Sequence, residues 1–212
     1  MRRGRVRGDL IDAARGLCAR QGVGSTSIRR VIEASGANLN AVHYHFGSRE
    51  GLIDALVDEA QEALNEERFE LFDALIESGF NEKSGPRVVL EAGYGPLFRQ
   101  ALGPDRDQYR DGLLVLAQLR NDPGPDGARS MERHAVDFLE RFEPLLKRVV
   151  PSSPRLFRDG MRLVNSAAWD FALRCDVHET VAQSASQTRT ANQLLKRYLD
   201  FATAGLEGLF GR

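Results

Sequence analysis

An all-α fold is what the sequence predicts, on three observations. Apolar residues recur at three- and four-residue steps through most of the 212 positions. Alternating, β-branched runs bounded by turn residues are missing. Proline-containing breaks at Gly103-Pro104, Pro123-Gly124-Pro125 and Pro151-Ser152-Ser153-Pro154 cut the chain into helix-sized pieces.

Taken in order, a first helix is expected over residues 9–21, with Asp9 at its positive end, Leu10, Ala14, Leu17 and Cys18 buried, and Gly22 as its stop. Thr26 or Ser27 can cap a second helix whose buried face includes Ile28, Val31, Ile32 and Ala34. Gly36 ends it, because so sharp a turn calls for positive φ. A third helix, residues 38–46, should bury Leu39, Val42 and Phe46 and turn Asn40, Ala41, His43, Tyr44 and His45 outward. From Ser48 a long fourth helix carries Leu52, Leu56, Ala60, Ala63 or Leu64, Leu71 and Leu75 down one side toward Gly79. Further helices are expected over residues 86–101, 105–120, 125–149, 153–175 and 189–210, with a polar connector over 177–190.

Charge separates the chain into a head and a body. Up to Glu50 there are nine arginines and four carboxylates, a net of +5, which leaves −6 for the rest of a chain whose total is −1. A basic head on an acidic body is what results when one end alone faces phosphate. Cys18 and Cys175 sit far apart in apolar helical patterns and read as buried free thiols in a reducing compartment. The basic start Met-Arg-Arg-Gly-Arg-Val-Arg precedes no apolar stretch and no uncharged run is long enough to span a bilayer, so a soluble cytoplasmic protein is expected, without membrane association.

Two short helices joined by a tight turn are the layout of a helix-turn-helix DNA reader. The segment VHYHFGSREGL, preceded by TSIRRV and the turn glycine, resembles the N-terminal domain of tetracycline-repressor (TetR/AcrR-type) transcriptional regulators over roughly residues 9–58. The resemblance implies a three-helix DNA-binding domain, residues 1–50, followed by a larger helical domain, residues 51–212, that binds an effector and dimerises. Where the family commonly has Ser, Pro or Thr early in the recognition helix, this chain reads Asn38-Leu39-Asn40-Ala41, so no operator sequence carries over.

On that pattern Thr26, Ser27, Arg29, Tyr44, His45 and Arg49 lie where phosphates pass, while Asn40, Ala41 and His43, with Asn38 at the start of the helix, face base edges of a double-stranded operator. Asn40 suits an adenine edge, Ala41 a thymine methyl and His43 a guanine acceptor. Each has a plainer reading: the Tyr44 ring as packing, His45 as an ordinary surface residue, and the arginines from Arg2 to Arg7 as a solvated tail rather than a groove-following arm.

A twofold reader needs a self-complementary surface. The last two helices are the candidates: Leu194, Leu195, Tyr198, Phe201, Ala202, Leu206 and Leu209 form a wide apolar face beside Ala204, Gly205 and Gly208, and the family forms its homodimer there. The resemblance also implies a small-molecule pocket in the body. Lining candidates are Phe69, Phe72, Tyr94, Phe98, Tyr109, Met131, His134, Phe138, Phe142, Met161, Asn165 and Trp169, which suit a mostly apolar effector oriented by His134 or Asn165; the alternative is that they are core. No Gly-rich phosphate loop, metal-ligand spacing or nucleophile elbow is present, so neither enzyme chemistry nor a cofactor or metal is expected. A regulator controlled by a protein partner, or acting without any effector, stays open beside the ligand-released repressor.

Overall fold

The computed structural model describes residues 2–122, 124–150, 152–173 and 187–210. Among them the structure is helical throughout: α1 (Arg2–Gln21), α2 (Ile28–Ser35), α3 (Leu39–Phe46), α4 (Arg49–Glu77), a 3₁₀ turn (Glu82–Ser84), α5 (Pro86–Leu102), α6 (Arg106–Asn121), α7 (Ala128–Val149), α8 (Pro154–Leu173) and α9 (Gln187–Phe210). Most ends fall within a residue or two of the expected ones. Cys175 and most of the expected connector lie outside the described residues.

The main difference is at the start. Residues 2–8, expected as a tail or arm, continue α1 as helix. Arg7 gives a reason, since its guanidinium reaches Glu59 at 3.0 Å and sits 5.7 Å from the Phe46 ring centroid.

The described chain forms two compact units, residues 1–63 with 108–136, and residues 64–107 with 137–212. They do not follow the division at residue 50, and α4 and α7 each contribute to both. The first unit packs Leu10, Ile11, Ala14 and Cys18 of α1 with Val31, Val42, Leu52, Ile53, Leu56 and Val57, all essentially closed to solvent. Burial pushes the free Cys18 thiol above its usual range, so it stays protonated.

The second unit is built around α5, which is buried along most of its length because it carries almost no charge between Val88 and Leu102. Pro96 lies within α5 and removes the N–H that would bond the carbonyl one turn back, loosening the backbone around Ala92 and Gly93. Around this turn gather the rings of Phe72, Tyr94, Phe98, Phe138, Phe142 and Tyr198, with neighbouring centroids 4.9–6.4 Å apart. Helix α9 buries Leu195, Tyr198, Leu199, Ala202 and Leu206 in this unit, and the Tyr198 hydroxyl donates to the Val164 carbonyl at 3.3 Å.

Candidate nucleic-acid interface and body site

The head is shaped by local chemistry. Ser27, in extended conformation, caps α2 by accepting from the Arg30 amide, and Gly36 ends α2 at φ +67, a left-handed conformation that favours glycine. Asn38 Oδ1 then accepts from the Ala41 amide at 3.0 Å to start α3. Ser48 Oγ accepts from Gly51 N at 3.0 Å to start α4, and a Cβ at Gly51 would stand 2.0 Å from the Phe46 carbonyl oxygen, so the α3–α4 junction admits no side chain there. Only Val31 of α2 and Val42 of α3 are fully buried, which leaves most of both short helices at the surface.

Asn40, His43 and Tyr44 are exposed, Tyr44 to 69%, and its ring meets His45 edge-on with centroids 5.0 Å apart. His45 and Ala41 are half-buried. Arg29 is exposed and pairs with Glu33 at 2.9 Å. Arg30, which the sequence reading passed over, is exposed one position further along and forms no ion pair among the described residues; its place three residues after the Ser27 cap was the available signal. The His43 Nδ1 lies 3.0 Å from the Gly47 carbonyl, an acceptor, so Nδ1 carries the proton.

Several expectations need correcting. Leu39 is 51% exposed and Ala34 is exposed, because an eight-residue helix anchored by one buried valine leaves its other apolar positions at the margin; Phe46 is only half-buried. Thr26 is buried, its hydroxyl donating to the Gly22 carbonyl at 2.9 Å and accepting from Gln21 Nε2 at 3.2 Å, so it does not face phosphate. Arg49 likewise points inward. Its guanidinium donates to the carbonyls of Thr26 and Val23 and pairs with Asp126.

The proposed pocket residues divide between the units. Tyr109, Met131 and His134 belong to the first, and Phe72, Tyr94, Phe98, Phe138, Met161, Asn165 and Trp169 to the second. His134 is buried with Nε2 3.1 Å from the Asp58 carboxylate, which also binds Arg133, so its polar edge is committed within the protein. In the second unit the sequence reading missed Arg68. This side chain is 4% exposed, donates from Nε to the Gly93 carbonyl at 2.8 Å and from Nη1 to Asn65 Oδ1 at 3.0 Å, and has its guanidinium carbon 4.5 Å from the Phe138 ring centroid. Burial pushes its pKa down to about 10. Nothing local marks it, since an arginine in a charged stretch such as Asn65-Glu66-Glu67-Arg68 reads as surface.

On α9, the expected dimer face divides too. Leu195, Tyr198, Ala202 and Leu206 are buried in their own chain, whereas Phe201 is 66% exposed, with Leu209, Ala204, Gly205 and Gly208 also outward and Leu194 between. On α8, Leu156 and Leu163 are exposed as well.

A capped trihelical head with a glycine turn and an outward third helix defines a helix-turn-helix DNA-binding protein. Residues 10–56 match the family described as bacterial regulatory proteins, tetR family. No curated protein matches the chain. Among solved structures it is similar to GusR of Salmonella enterica, at 16% identity and a TM-score of 0.57, covering 98% of this chain and 96% of that one. It also aligns with the multidrug binding protein EbrR complexed with ethidium, at 17% identity, 91% and 97% coverage and a TM-score of 0.47. A third is a gamma-butyrolactone receptor, an ArpA-like protein, at 19% identity, 94% and 82% coverage and a TM-score of 0.36. The first likeness shows a shared fold over nearly the whole chain. Among the described residues no helix is long and apolar enough to cross a membrane and no group of three ligating side chains is placed to hold a metal.

Proposed function

We propose that the protein is a cytoplasmic, homodimeric transcriptional repressor that reads double-stranded operator DNA through α3 and is released by a small effector bound in the helical body. The outward set Asn40, His43 and Tyr44 on a capped, glycine-hinged third helix carries the reading. Ser27, Arg29, Arg30, Tyr44 and His45 contact phosphates; Asn40, Ala41 and His43, with the Nδ2 of Asn38, face base edges. The twofold uses the outward sides of α8 and α9, where Phe201 and Leu163 supply exposed apolar area and glycines permit close approach. Release requires the effector to bind the DNA-incompetent state more tightly, and that difference sets how far DNA affinity falls.

The test is selection of bound fragments from random duplex DNA, by the wild type and by two variants. Asn40→Ala is expected to lose about 1 to 3 kcal/mol of discrimination at one base pair per half-site. Arg29→Ala is expected to weaken all sequences alike and reduce the log-affinity against log-salt slope by about one. An Asn40→Ala selection profile identical to that of the wild type would withdraw the base-reading role.

A further inference from the structure

Arg68 is the least expected group in the second unit. It lies on α4 among Phe72, Tyr94, Phe138, Phe142 and Tyr198, almost closed to solvent. Among the described residues no carboxylate pairs with it. The adjacent Glu67 is turned to Arg99 at 2.6 Å and to Gln100 at 3.5 Å. Of the five guanidinium N–H groups, one on Nε and one on Nη1 are matched, to Gly93 and Asn65, while Nη2 has no acceptor among the described residues. A positive charge removed from water costs far more than any neutral residue of the same size, and two neutral acceptors and one ring face do not replace a counter-ion.

A brace on the Gly93 carbonyl near Pro96 explains that bond but needs one neutral donor, not a permanent cation with its planar fork. The arrangement is complementary to something absent from the chain itself: a flat anion that accepts two parallel N–H bonds, attached to an apolar body that the rings can hold.

We propose that the effector is an aromatic or similarly bulky apolar carboxylate whose carboxylate forms a bidentate pair with Arg68 and whose hydrocarbon part lies against Phe72, Tyr94 and Phe142. This rests on the reading of the protein as effector-responsive and gives the effector its chemical class. Phe138 is the gate. Its ring is half-buried, stacks on Phe142 with centroids 4.9 Å apart and covers the guanidinium, so a change of its χ1 rotamer exposes the face a ligand needs. His134 and Asn165, expected from the sequence to orient the effector, have no part in it.

The test uses benzoate, phenylacetate and 1-naphthylacetate, each paired with its uncharged primary amide at equal concentration, and measures melting temperature and titrated affinity of the full chain. At least one acid is expected to bind the wild type about tenfold or more tightly than its amide, the increment of a charge-assisted pair over a neutral contact. Arg68→Met, which removes a buried charge in favour of an apolar side chain of similar length, is expected to fold and to bind acid and amide equally. Should Arg68→Met fail to fold by circular dichroism, Arg68→Lys keeps the charge without the fork and is expected to reduce the preference severalfold. Phe138→Ala is expected to raise acid affinity by opening the gate.

Amides that bind the wild type as well as the acids do would overturn the anion site and leave the effector reading standing. If no acid or amide binds either the wild type or Phe138→Ala, the anion site fails and the effector reading loses its support with it. An acid preference that survives in both Arg68 variants places the anion elsewhere and overturns the proposal.

Discussion

Two residues of the head show how similar sequence signals part company once neighbours are known. Arg29 and Arg49 both sit in the basic N-terminal quarter, yet Arg29 is exposed beside Glu33 and Arg49 turns inward to three acceptors. The difference is not legible locally, because the Val23 and Thr26 carbonyls and the Asp126 carboxylate lie 26, 23 and 77 residues away in the chain. Arg49 ties the turn before α2 to the start of α4 and to the loop before α7. Truncating it leaves a carboxylate and two part-buried carbonyls without their donor. Arg49→Ala is therefore expected to lower stability by about 2 to 4 kcal/mol, read as a fall in urea midpoint, with DNA affinity recovering at temperatures where the variant is folded. A variant of unchanged midpoint that still fails to bind DNA would return Arg49 to the phosphate face.

Among elements, what could be read from sequence is what is decided within a few residues. Ser48 as a cap, Ser27 as one of two candidates with Thr26, and the turn at Gly36 were legible because each is decided by backbone groups next to it, whereas Asn38, expected as the first residue of the third helix, is its cap instead. Which side of a helix faces inward was less legible. Leu39 was misplaced because α3 has barely two turns, too few to fix the phase of its apolar pattern. Helix α9 has apolar residues on both sides, so the sequence showed a sticky helix without separating the side that closes its own unit from the side left over. That separation yields a prediction. Phe201→Glu places a charge on the outward side and is expected to shift sedimentation from dimer to monomer while preserving helix content, since the residue contributes little to its own core. By contrast, Leu195→Ala, a buried truncation, is expected to cost about 2 to 5 kcal/mol of unfolding free energy. A Phe201→Glu protein that sediments as a dimer would move the twofold off this side of α9.

For the whole molecule, the useful fact is that α4 and α7 each contribute residues to both compact units. A ligand that repacks Phe138 of α7 or Arg68 of α4 acts on helices that also contribute residues to the unit holding the reader. If that sharing carries regulation, it does so as a coupling free energy, and such a coupling is the same in both directions. An acid that weakens operator binding by some factor when saturating must itself be bound more weakly by that same factor when operator DNA is saturating. Typical couplings of about 1 to 3 kcal/mol correspond to factors of roughly 5 to 150, large enough to measure from either side. The expected result is equal factors from two titrations, one of 1-naphthylacetate into protein with and without a saturating duplex and one of duplex into protein with and without saturating acid. In Arg68→Met both factors should fall toward one together, because the ligand then has no preference to transmit. An acid that binds the wild type tightly yet leaves the duplex affinity untouched would mean that the body site and the reader are energetically independent, and that α4 and α7 are shared scaffolding only.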